Sequence, residues 1–203
     1  NVNGSGVPSG PAHGGGSGGE LDDEQIKVPA GFTDEPDDAA ADPKGIFDYS
    51  VLANAGHPRL LIDSKGFASL KRKVTSDKMF NSTLYKLHTA VMTRTDKIVE
   101  ADRAFSVISD HSVISDNILH CSYAYRMTGE SKYLEKVKRD MQKVCDFADW
   151  APNELSIGEV SFAMAIAYDW LYYDLPNDLR TLARQNMSTK SIRPMYNKSY
   201  AKT

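Results

Sequence analysis

The sequence predicts an all-α protein built from antiparallel helical hairpins, and three observations carry that expectation. Apolar residues recur every three or four positions through successive segments between Phe67 and Met187, the spacing that places them on one face of a helix. Helix start and stop signals fall between those segments at short intervals: Asp63-Ser64, Thr128-Gly129 before Ser131, and Pro176. No stretch alternates apolar and polar residues for long enough to read as a strand.

Composition narrows the function classes. The 203 residues are 41% hydrophobic and 25% charged, with a formal net charge of −3, which gives no general footprint for nucleic acid. No apolar run approaches the roughly 20 residues a membrane span needs. The longest candidate, from Phe162 to Leu171, is short and interrupted by Asp169. The first residues are neither Met nor a basic segment followed by an apolar one, so no signal peptide is read, and an exported mature product and a cytosolic one both stay open. Two cysteines, Cys121 and Cys145, are too few for a disulfide framework. If they flank a turn near Gly129, their axial offset is roughly 12 Å at about 1.5 Å per residue, beyond disulfide reach. Buried free thiols are expected.

Two regions are expected. Residues 1–45 begin with a Gly, Ser and Pro-rich stretch and continue into an acidic, proline-interrupted run, DEPDDAAADP. Such a composition buries too little to order itself and reads as a disordered linker. Residues 46–203 form the helical part.

Within it, Gly56-His57-Pro58-Arg59-Leu60-Leu61 reads as extended, because a residue before proline avoids the helical region. Asp63 or Ser64 caps a helix with Phe67, Leu70 and Val74 on one face. A second helix runs from about Lys78, with Phe80, Leu84, Leu87 and Val91 in register. Residues 97–110, with Phe105, Val107 and Ile108, suggest a short helix or a buried turn. A helix from about 111 to 127 carries Ile114, Ile118, Leu119, Cys121 and Tyr125, and Gly129 supplies the left-handed position that ends it. Ser131 starts the next, which carries Tyr133, Leu134, Val137, Met141, Val144 and Ala148. Pro176 or Asn177 opens another with Leu179, Leu182, Ala183 and Met187. Residues 189–203 are basic and aperiodic.

Between these lies the most informative stretch, DWAPNELSIGEVSFAMAIAYDWLYYDLP, residues 149–176. Ser156 and Glu159 form an S-x-x-E capping box, so a helix is expected to start there. The residues that follow are apolar on nearly every face, which predicts a helix with neighbours on several sides. It ends in Tyr168, Trp170, Tyr172 and Tyr173, with Asp169 among them.

These segments carry a resemblance. His57-Pro58-Arg59-Leu60-Leu61, then Tyr123-Ala124-Tyr125-Arg126-Met127-Thr128-Gly129-Glu130 with Lys132-Tyr133-Leu134, then Asp149-Trp150 and Tyr168-Asp169-Trp170-Leu171-Tyr172, resemble the heparinase II/III-like family in order and spacing, over about residues 46–188. The resemblance implies an incomplete (α/α) toroid followed by β-sandwich domains, in exported bacterial lyases of uronic-acid polymers such as heparan sulfate or alginate. It implies that this chain is the first part of such an enzyme, periplasmic or extracellular, with an acidic polysaccharide as its partner and its catalytic set mostly elsewhere. In one place the chain departs from the family pattern. Members commonly carry a histidine and an aspartate in the loop before the glutamate of the central helix, whereas residues 151–158 here read APNELSIG.

β-Elimination on a uronate needs a group that neutralises the substrate carboxylate, a base and an acid, often Tyr or His, and aromatic surface for the sugar. No residue here can be assigned those catalytic roles. The candidates for substrate contact are Trp150, Asn153 and Glu154 before the central helix, and Tyr168, Asp169 and Trp170 at its end. Each has an alternative reading. Trp170 and the tyrosines serve equally as core aromatics, Glu159 as half of a capping box, and Asp169 as a buried carboxylate paired with Arg59 or Arg126. His111 and His120 are nine residues apart and out of helical register for shared ligation, so neither a metal nor a cofactor is expected. His120 reads as a packed or solvated residue. Asn81-Ser82-Thr83 and Asn197-Lys198-Ser199 fit glycosylation acceptors in a eukaryotic secretory setting. Two further classes remain beside the lyase: a non-catalytic helical carbohydrate-binding or interaction module on the same scaffold, and a hydrolase on an (α/α) toroid, for which no carboxylate pair stands out.

Overall fold

A computed structural model describes residues 56–76, 82–151 and 153–195. The expectation of a disordered residues 1–45 lies outside them, as do Lys78, Phe80 and both glycosylation asparagines. Six helices make up the described part: α1 (Ser64–Ser76), α2 (Thr83–Glu100), α3 (His111–Thr128), α4 (Ser131–Asp146), α5 (Glu154–Trp170) and α6 (Asn177–Asn186), followed by a π-helical turn, Met187–Ile192. There is no strand among the described residues, and no described helix is long and apolar enough to cross a membrane.

Local chemistry sets the helix starts. Asp63 caps α1, its Oδ1 accepting from the Gly66 amide at 2.7 Å. Ser82 caps α2 by accepting from the Tyr85 amide at 3.1 Å, so that helix begins about one turn after the position expected from periodicity. Between α2 and α3 the chain is a turn rather than a helix: Phe105 is buried, and the Asp110 carboxylate accepts from the Ser106 amide at 2.9 Å. Gly129, at φ 76°, closes α3 with its amide donating to the Tyr125 carbonyl at 2.7 Å. That left-handed geometry suits a residue without Cβ.

The centre of the core is α3. Ile114, Ile118, Cys121 and Ala124 are fully buried on it, and it packs against α2, α4 and α5. On α4, Tyr133, Val137, Met141 and Val144 face inward. Ala148, expected on this helix, is exposed beyond its end. Lys190 from the π-helical turn caps that end, its Nζ donating to the carbonyls of Cys145 at 2.8 Å and Phe147 at 2.5 Å, where a cation also meets the negative end of the helix dipole. Inside, Lys136 is paired with Asp140 at 2.9 Å, and Asn117 donates to the same carboxylate at 3.1 Å. Cys121 and Cys145 are buried free thiols.

One expectation for the stretch 149–176 is corrected. The helix starts at Glu154, because the Asn153 side chain accepts from the Ser156 amide at 2.8 Å and caps it first. Ser156 therefore lies inside the first turn, fully buried, and Glu159 is not the back half of a capping box. As its apolar composition predicts, α5 has neighbours on several sides, packing on α3, α6 and the π-helical turn, while Leu155 and Phe162 are exposed.

Candidate functional site

Two of the segments that carry the resemblance, His57–Leu61 and Tyr168–Tyr172, meet at the end of α5. Asp169 is 2% exposed and sits against the lead-in to α1, more than 100 residues away in sequence. His57 Nδ1–H donates to its Oδ1 at 2.6 Å, and the amides of Arg59 and Leu60 both donate to its Oδ2 at 2.8 Å. The Arg59 Nε lies 3.9 Å from Oδ1. Burial alone pushes such a carboxyl up, but the His57 contact and the two backbone amides outweigh it and hold Asp169 below its ordinary value. The His57 ring stacks on Tyr172 at 3.9 Å between centroids, Tyr168 meets Tyr172 edge-on at 5.4 Å, and the His57 amide donates to the Tyr173 hydroxyl at 3.3 Å. The Trp170 indole N–H donates to the Leu60 carbonyl at 2.9 Å, and its ring meets Phe67 edge-on.

This clasp anchors the segment before α1 onto α5. Asp169 is the structural hydrogen-bonding partner of Arg59, through the backbone amide chiefly, and Arg126 instead pairs with Asp174 at 3.1 Å. Tyr168, Asp169 and Trp170 are thus brought together, with their polar atoms largely engaged by the protein itself.

The other three candidates lie at the start of α5. Trp150 is fully buried, its indole N–H donating to the Val144 carbonyl at 3.0 Å, which places it in the core and not on a rim. Asn153 and Glu154 are exposed, with the Asn153 side-chain oxygen committed to the cap. Nearby, His111 Nδ1 is 2.8 Å from Glu159 Oε2, both side chains partly open to solvent. The pair gives Glu159 a partner across to α3 that its sequence position does not reveal. Gly158 beside it faces open space.

An open groove of about 430 Å³ lies between α1, α2, α3 and α5. Leu61, Leu70, Leu84, Leu87, Val91, Leu119, Phe162, Ile166 and Trp170 form its walls, with His88, His120 and Tyr123 as its polar members. Leu61 is 77% exposed, Leu87 61% and Phe162 51%, so the apolar period of α2 faces this groove. His88 Nδ1 is 2.9 Å from the Tyr123 hydroxyl. Burial lowers the histidine and raises the tyrosine, which favours neutral forms of both at pH 7. His120 Nδ1–H donates to the Asp116 carbonyl at 2.9 Å. Walls this apolar would strip water from the hydroxyls of a polar ligand without replacing their hydrogen bonds.

Among the described residues, no three of His, Cys, Asp and Glu gather as a metal site would require. His57, His88 and His111 each hold a partner 35 or more residues away. Periodicity signals none of those pairings, since it reports which face a residue occupies and not which helix lies opposite. No family model matches the chain, and no curated protein matches it.

Proposed function

We propose that this chain is the N-terminal helical part of a polysaccharide lyase that cleaves uronic-acid-containing polymers, of the heparan sulfate or alginate kind, by β-elimination, on an incomplete (α/α) toroid exported from a bacterium. The observation that supports this reading is the clasp. Two of the stretches that carry the resemblance, His57-Pro58-Arg59-Leu60-Leu61 and Tyr168-Asp169-Trp170-Leu171-Tyr172, are separate in sequence and interlock in space, as parts of one inherited joint would.

In this reading the described helices supply scaffold and rim. The reaction removes the proton next to the uronate carboxyl group and expels the 4-linked oxygen, leaving an unsaturated uronate. Asn153 and Glu154 stand exposed beside the His111–Glu159 pair, where polar side chains can meet sugar hydroxyls. The rest of the catalytic set belongs to sequence beyond this portion. The test is an ultraviolet assay for unsaturated uronate with the full-length parent on heparan sulfate and alginate. New absorbance is the expected result, and its absence on both polymers refutes the lyase.

The second reading is a non-catalytic carbohydrate-binding module on the same scaffold. It is favoured by the loop at 151–158, which carries neither His nor Asp. Binding of uronate oligosaccharides with no new absorbance would select it.

A further inference from the structure

The charge of this chain is divided unevenly. Residues 1–45 hold nine acidic and two basic side chains, a net −7, so that against −3 for the whole chain residues 46–203 carry +4. The acidic side chains concentrate in Asp34, Glu35, Asp37, Asp38 and Asp42. The first described helix is the opposite. Along its length α1 has Lys65, Lys71, Arg72 and Lys73 and no acidic residue, and Lys65, Arg72 and Lys73 are exposed. Asp63, just before it, has its Oδ1 taken by the Gly66 amide.

We propose that the basic face of α1 is a docking surface whose occupant is the chain's own acidic run, residues 34–42. Three arguments select that occupant. The charges are complementary, with five carboxylates against the three exposed cations Lys65, Arg72 and Lys73. The acidic run is tethered beside its target: the 14 residues from Asp42 to Gly56 reach at most about 50 Å at about 3.6 Å each, against a length of about 20 Å for α1. The tether also turns association into an intramolecular event, with an effective concentration on the order of millimolar for a short link. The contact is electrostatic and leaves α1's buried side, Phe67 and Val74, undisturbed. An external polyanion would have to displace the leader to reach the same lysines.

Zero-length carbodiimide crosslinking of the full chain, read by mass spectrometry, tests this directly. At low salt, bridges from the carboxylates of residues 34–42 should fall on Lys65, Lys71 and Lys73 in preference to Lys86, Lys97 and Lys138. They should drop several-fold as the Debye length contracts from about 10 Å to about 4 Å on raising salt from about 0.1 M to about 0.5 M. In the variant Lys71→Gln, Arg72→Gln, Lys73→Gln, with helix content verified by circular dichroism, the bridge to Lys65 should fall as well. Bridges spread evenly over the lysines, bridges indifferent to salt, or a Lys65 bridge that survives the triple substitution each overturn the proposal. Mixing ¹⁵N-labelled with unlabelled chain separates the remaining occupant: bridges between differently labelled chains would make it a second copy and refute the intramolecular contact. None of these readouts needs a polysaccharide, so the result is independent of the lyase reading.

Discussion

Replacing Asp169 by asparagine keeps the size of the side chain while removing its charge and one of its two acceptor oxygens. The wild-type carboxylate receives three hydrogen bonds, from His57 at 2.6 Å and from the Arg59 and Leu60 amides at 2.8 Å. An asparagine oriented to satisfy the two amides turns its NH2 toward His57 Nδ1, which keeps a hydrogen bond only as a neutral ring with its proton moved to Nε2. Flipped, it abandons both amides. Hydrogen bonds to a charged group contribute about 1.5–3 kcal/mol each, so loss of one, with weakening of the rest, amounts to about 2–4 kcal/mol. At a urea m-value of about 2 kcal/mol/M the midpoint should fall by about 1–2 M with m unchanged. Acid provides an internal check. The folded carboxyl lies below its unfolded value of 3.8, so its contribution is complete above that pH and is lost as pH falls through the lower folded value. The gap between wild type and Asp169→Asn should therefore narrow below about pH 4. A variant within about 0.5 kcal/mol of wild type, the range of an ordinary surface change, or a gap that stays constant on acidification, would refute the clasp as a source of stability.

Gly129→Ala should lower stability by about 1–2 kcal/mol in thermal unfolding, because φ is 76° and a Cβ there meets nothing within 4 Å, leaving conformation as the only cost. Trp150→Phe should cost about 2–3 kcal/mol in urea, through a cavity in the core and the loss of the indole hydrogen bond to the Val144 carbonyl, which keeps only the Phe147 amide at 3.3 Å, whereas Phe162→Ser on the exposed wall should stay within about 0.5 kcal/mol. Burial pushes Cys121 and Cys145 up from 9.0 to about 12. Their contribution is complete below pH 9.0 and is lost as pH rises toward about 12. Alkaline unfolding should accordingly steepen there, and a thiol reagent at pH 8 should label the folded chain far more slowly than the unfolded one.

The helices were legible because each is announced locally. Asp63 and Gly129 act on amides and carbonyls within four residues, and Ile114, Ile118 and Cys121 repeat at the period of the face they bury, whereas the Ser82 cap lies past the start near Lys78 that periodicity suggests. The start of α5 was misread for a local reason too: Asn153 and Ser156 both suit a helix N-terminus, and only the folded backbone decides which oxygen reaches an amide. Periodicity also places Leu84, Leu87 and Val91 on one side of α2 without revealing that this side stays open. The candidates divide in the same way. Tyr168, Asp169 and Trp170 could be picked out as polar and aromatic groups in an apolar helix. Arg59 could be named as a partner of Asp169, beside Arg126, but His57 and Leu60 could not, since contacts across more than 100 residues leave no trace in spacing.

The clasp also sets how the chain responds to tension. A pull on the backbone at Gly56 reaches the His57, Arg59 and Leu60 contacts before it reaches α1, and these hand it to the last turn of α5. The helices α1 to α4, which lie between the two points in sequence, are bypassed while the contacts hold. Three hydrogen bonds converging on one carboxylate act in parallel, so they yield together, and only then would α1 begin to unravel from its Asp63 end. Asp169 works in this sense as a mechanical fuse for everything tethered ahead of it.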